Sequence, residues 1–165
     1  AKTDSFSEFG DDIVAFISGS KGSKDQTGSR GAILFSGDTI TSGSLHIDSG
    51  IRDKFTTKSS ATGTVVHDCE ESTVFNHSSI SANFTANFTN LNLSSGYATS
   101  LTLILNQGAT AYMTTGVQIG GAAQTIEWQG GSAPSGTSSG IDVVSFSIIN
   151  SAGTYTVLGQ SVSYS

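Results

Sequence analysis

The 165-residue chain holds one cysteine, one proline, one methionine and one tryptophan. A lone Cys69 excludes an internal disulfide framework, so the fold has to stand on burial within the chain or between chains. Charge is scarce as well: Asp, Glu, Lys and Arg make up 12% of the residues, about half the usual share of a globular domain. No stretch reaches the roughly 18 consecutive apolar residues of a membrane-spanning helix, so membrane insertion is not expected. The segment Ala1-Lys2-Thr3-Asp4 has no apolar leader character, and no signal peptide is expected from it. The net charge is −6 and the pI about 4.7. A surface that grips phosphates needs the opposite sign, so nucleic acid is not an expected partner.

Ser, Thr and Gly fill the space that charge leaves. There are 29 Ser, 20 Thr and 20 Gly. Helical bundles need Glu, Lys, Arg and Ala on their exposed faces. This composition suits pleats and turns instead, because Thr and Val populate strands and Gly populates turns with positive φ.

The charges are also unevenly placed. Lys2, Lys21, Lys24, Arg30, Arg52, Lys54 and Lys58 are all the basic residues, and 11 of the 13 acids lie at or before Glu71. From Ser72 to Ser165 only Glu127 and Asp142 are charged. We read this shift as a boundary between an N-terminal segment, 1–60, and a second domain, 61–165. A surface so poor in charge points to burial against other chains, or to a setting where neutral polar groups suffice.

Within 1–60, Ile13 to Ile17 is a short apolar run, and the Gly- and Ser-rich stretch 18–29 reads as a loop or linker. Ala32 to Phe35, Thr39 to Thr41 and Ser44 to Asp48 read as short strands punctuated by Gly37, Gly43 and Gly50. The segment is expected to be an irregular arm that anchors the chain. From Gly63 the strand signal strengthens. Thr64 to Asp68 reads as a strand. Ile80, Ala82, Phe84, Ala86 and Phe88 alternate with polar residues, which gives one buried and one polar face. Leu101 to Leu105, Val117 to Ile119, Thr125 to Trp128, Ile141 to Ile149 and Tyr155 to Tyr164 follow. The predicted fold class is all-β: an antiparallel β-sandwich of jelly-roll type behind a short, less regular N-terminal segment.

Candidate chemistry is sparse. His67-Asp68-Cys69-Glu70-Glu71 is the densest cluster, but one chain offers two suitably placed ligands there where a metal site needs about three. His46 and Asp48 form a similar pair, and His77 is expected in a turn. No Gly-x-Ser-x-Gly motif stands in a strand-turn-helix context. No catalytic, cofactor-binding or metal-ligating residue is therefore expected. Glu127 and Asp142 flank the Gly-rich loop 130–136 and are the one carboxylate pair from Ser72 onward. With Trp128 and Tyr112 they form a candidate glycan contact, in which an aromatic ring stacks on a sugar; Tyr155 is a further aromatic of this kind. The simpler reading is a core tryptophan and two loop-holding carboxylates.

Ser100 to Tyr112, Gln124 to Pro134, Asp142 to Ser147 and Tyr155 to Gly159, with Ile80 to Thr89 before them, resemble a module of virion structural and fibre-type proteins of tailed phages, particularly cyanophages. The resemblance spans roughly residues 60–165. It implies a β-rich, non-enzymatic particle component located in the virion: a capsid decoration or cement protein, or a short fibre, attached through its N-terminal part. It implies other virion proteins of the capsid or tail as partners and a homo-oligomer, with a trimer expected. A carbohydrate-binding or receptor-binding tip, with a host surface glycan as partner, is the alternative. No cofactor is implied.

Overall fold

A computed structural model describes residues 39, 41–47 and 50–165. The chain divides into two compact units, Ala1–Asp48 and Ser49–Ser165. In the first, residues 41–47 carry no helix or strand. The other strand expectations placed before Asp48, the 13–17 run and the 18–29 linker lie outside the described residues, apart from Thr39 and Thr41.

The second unit is an all-β sandwich, as its composition predicts. Ten strands make it up: β1 (Phe55–Ser59), β2 (Gly63–Asp68), β3 (Val74–Ser78), β4 (Phe84–Thr89), β5 (Ala98–Asn106), β6 (Thr114–Ile119), β7 (Ala122–Gln124), β8 (Ile126–Trp128), β9 (Ile141–Ser151) and β10 (Thr154–Tyr164). One sheet, here sheet A, has the order β1-β3-β5-β9-β10-β8. The other, sheet B, has the order β2-β4-β6-β7.

The pairing differs from the antiparallel jelly roll. The first six strands alternate between the sheets, and each lies parallel to the strand two before it: β1 with β3, β3 with β5, β2 with β4, β4 with β6. This is the winding of a short two-sheet solenoid. Parallel neighbours need a crossover connection, and here the opposite sheet provides it. Only β5-β9-β10 and β6-β7 pair antiparallel, and β8 lies parallel along β10.

The corners explain the winding. Ser60 and Ser79, each just past a sheet A strand, adopt φ of 55° and 54°, a left-handed conformation that turns the chain toward the other sheet. The two corners stack: Ser60 N–H donates to the Ser78 carbonyl, and Ser81 N–H to the Ala61 carbonyl, each at 3.1 Å. Lys58-Ser59-Ser60-Ala61 thus repeats as His77-Ser78-Ser79-Ile80, with Lys58 level with His77 and Ser59 with Ser78.

The boundary expected at 60/61 falls between β1 and β2, inside the compact unit that begins at Ser49. β1 pairs with β3, and the buried Ser72 hydroxyl lies 2.6 Å from the Lys54 carbonyl. The charge shift marks a change of surface, not of fold.

The core fills the space between the sheets. Phe75, Leu101, Leu103, Leu105, Val144, Phe146, Ile148 and Val157 come from sheet A. Phe84, Ala86, Phe88, Val117 and Ile119 come from sheet B. The alternation of Phe84, Ala86 and Phe88 does what its period demands: these three are buried, and Thr85, Asn87 and Thr89 are not.

Candidate functional site

Edge strand β8 places Glu127 and Trp128 beside β10, with Leu158 level with Glu127 and Gly159 level with Trp128. Trp128 is half-buried and belongs to the core rim. Its centroid lies 5.8 Å from Phe146, at 54° between planes. Its ring lies over Gly159 so closely that an added Cβ there would come within 2.7 Å of Cε3 and Cζ3. The missing side chain of Gly159 is what lets the indole close this edge.

Outside this edge lies a trough of about 420 Å³ lined by Glu127, Trp128, Gln129, Ser145, Ser147, Leu158, Gly159 and Gln160. It offers hydroxyls, two amides, one carboxylate and one aliphatic side chain. Such a set can hydrogen-bond a neutral polyol. It lacks the second carboxylate that acid–base cleavage of a glycosidic bond uses.

Asp142 is not that second carboxylate. It stands on the inward face of β9 with Val144, Phe146 and Ile148, whereas Glu127 faces outward, so the structure sets the pair on opposite faces of sheet A. Asp142 is fully buried and its oxygens are committed. Oδ2 accepts from Gln107 Nε2 at 2.8 Å and from the Thr137 N–H at 2.9 Å; Oδ1 accepts from Ser163 Oγ at 2.6 Å. Burial alone would raise its pKa, but the bonds from Ser163, Thr137 and Gln107 outweigh it and hold the carboxyl below its ordinary value. The local sequence permits this knot: at Gly136 a Cβ would come within 2.9 Å of Ala111 Cβ and 3.2 Å of Asp142 Oδ2.

Tyr112 joins Asp142 rather than Trp128. Gln107 accepts from the Tyr112 N–H at 3.0 Å and donates to its carbonyl at 2.8 Å, while also donating to Asp142. The four expected contact residues thus divide in two: Trp128 and Glu127 at the trough, Asp142 and Tyr112 in the knot that closes the 107–113 and 132–140 loops. Tyr155 lines a separate cleft with Leu91, Leu93, Ile119 and Gly120.

A third arrangement escaped the sequence reading. His77 is not in a turn. It lies on β3, buried, facing His67 of β2 across the sandwich with Nε2 atoms 2.9 Å apart. The signal was available: Phe75 and His77 share the parity of a buried strand face. Cys69 lies near, its Sγ 3.9 Å from the His67 carbonyl, and burial pushes its thiol up to about 11, with Asp68 adding to the shift. Among the described residues no group of three or more His, Cys, Asp or Glu side chains is placed to hold a metal ion.

No protein-family model matches the chain, and no curated protein or solved structure matches it.

Proposed function

We propose that the protein is a non-enzymatic structural component of a tailed-phage virion, a decoration or short fibre protein that works as a homo-oligomer, most simply a trimer, attached to other virion proteins through its N-terminal part. The observation that carries this reading is the outer face of sheet A. Across three neighbouring strands Ile104, Val143 and Val162 stand level with one another. Ile141 and Tyr164 flank them, and Ile149 and Leu158 lie further along the same face. Val162 and Tyr164 are 53% and 58% exposed. Among the described strands the one charged side chain on this face is Glu127, at its edge. A broad, neutral, partly apolar sheet face favours burial against a like surface at about 25 cal/mol per Å² of apolar area. The resemblance to phage fibre-type modules points to the same kind of assembly.

Mass spectrometry of purified particles from the phage that encodes the chain tests this function. The expected result is the chain present at a fixed multiple-copy ratio to the major capsid or tail subunit. Its absence from particles of an infection that produces it would contradict the proposal.

The trough beside Trp128 favours a second reading, a glycan-binding tip. Trp128 is the chain's single tryptophan and lines the trough, so its fluorescence reports on that edge. Titration with neutral oligosaccharides is expected to shift that emission saturably under this reading, and an unchanged spectrum up to millimolar sugar would remove it.

A further inference from the structure

The His67–His77 contact joins the two sheets at the end of the sandwich where β1 and β2 are edge strands. Among the described residues β2 pairs with β4 alone and β1 with β3 alone. Around the pair stand aromatic rings. Phe75 meets His67 edge-on at 4.8 Å, Phe84 stacks on His77 at 4.9 Å, and Phe88 lies 5.4 Å from His67. From β1, Lys58 is level with His77 and its Nζ lies 5.8 Å from the Phe75 ring centroid. From β5, Leu105 is level with His77. On β2 itself, Asp68 turns its carboxylate to Asn90 Nδ2 and the Glu70 N–H, and Cys69 follows it. β4 brings Phe84 and Phe88, which carry no charge.

The bond has a fixed proton inventory. A single N–H can sit between two Nε2 atoms, so one ring donates and the other accepts. Both Nδ1 atoms are buried without a hydrogen bond of good geometry, and the Val65 backbone only partly offsets this at His67. An added proton has two places to go. On a buried Nδ1 it creates a charge beside Lys58 in an aromatic box. On the shared edge it sets two N–H groups against each other and ends the contact.

We propose that the His67–His77 pair is an acid-operated latch: protonation parts the imidazoles and frees β1 and β2 from the sandwich while β5, β9 and β10 stay folded. The chemistry of the surroundings supports it. Burial first, then His77 and Lys58, lower the pKa of His67 to about 3, with the Val65 carbonyl pulling weakly the other way; burial, then Lys58, lower that of His77 to about 4. An imidazole freed into water takes its proton near 6.5. Between those values the open state binds more protons than the closed one, so acid favours opening. Each unit of pH then changes the open-to-closed ratio by up to about tenfold per histidine. The central strands carry no such group: the buried acid of β9 is Asp142, whose lowered pKa keeps it charged through this window.

Hydrogen exchange of the full chain between pH 7 and pH 4, corrected for intrinsic rates, tests the latch. The expected result is progressive loss of protection over 55–68 with protection kept over 98–106 and 141–164, and retention of the 55–68 protection in the His67→Leu/His77→Leu variant. Protection of 55–68 that survives at pH 4, loss from all strands together, or equal loss in the double variant would overturn it. Should the double variant fail to fold, an NMR titration of the wild-type imidazoles decides: two rings that stay neutral below pH 5 in the folded protein support the latch, and a midpoint near 6.5 for either one overturns it.

Discussion

His67 and His77 approach Nε2 to Nε2 at 2.9 Å across the sandwich, each with its Nδ1 buried and unpartnered. The pair is therefore a hydrogen bond that carries two unsatisfied polar atoms with it. Removing one member leaves the other with no partner at all. His77→Leu alone is expected to cost about 1–3 kcal/mol. The change of both histidines to Leu is expected to cost less than the two single changes added together, because it removes every orphaned atom at once. Urea unfolding of the three variants at pH 7 measures this coupling, and strict additivity would count against a shared bond.

Asp142 predicts a loss of a different kind. Its carboxylate gathers Gln107, Thr137 and Ser163, from the loops on either side and from β10. Asp142→Ala leaves these donors unsatisfied in the interior and is expected to destabilise by about 3 kcal/mol or more. The sign with pH follows from the direction of its shift. The folded pKa lies below the ordinary carboxylate value, so its contribution is present above that value and fades as pH falls through the folded one. Asp142→Asn is expected to flatten the stability curve below about pH 4, where carboxylates titrate, and to leave the steeper histidine region above it unchanged. Denaturant midpoints from pH 7 to pH 3 separate the two.

Gly159 and Trp128 form a tight contact whose loss is visible spectroscopically. Gly159→Ala places a methyl group against the indole and is expected to cost about 1–3 kcal/mol through overpacking. The Trp128 emission should shift to the red as the ring is pushed toward water. An unchanged spectrum with unchanged stability would show that the edge gives way without strain.

Part of this molecule was legible in its residues. The strict alternation of Phe84, Ala86 and Phe88 located a buried face, and the long runs 141–149 and 155–164 located the β9–β10 hairpin. The parallel winding was hidden for a physical reason. A period of two says which face a strand buries, but not which strand lies beside it. Ser59-Ser60 and Ser78-Ser79 read as ordinary turn residues until the register shows them stacked at successive corners. The glycan-contact reading set Asp142 beside Glu127 because acidic residues are rarely fully buried; the parity it shares with Val144 and Phe146 turns it inward, where it holds loops as in the simpler reading. His77 was misplaced because Asn and Ser flank it, and the parity with Phe75 was the better guide.

The outer face of sheet A yields the most functional prediction. Val162→Glu puts a charge at the exposed β10 end of the neutral row Ile104–Val143–Val162. In an isolated chain it is expected to change stability by no more than about 0.5 kcal/mol, as a surface substitution. In the assembly it buries an unpaired carboxylate and should separate the subunits.

Light scattering on the purified wild-type chain, run beside Val162→Glu, tests the proposed assembly most directly. The account predicts a wild-type mass near three times 16.9 kDa and a monomer for the variant with unchanged circular dichroism. A wild-type mass of one chain at all concentrations, or a variant that assembles as the wild type does, would contradict it.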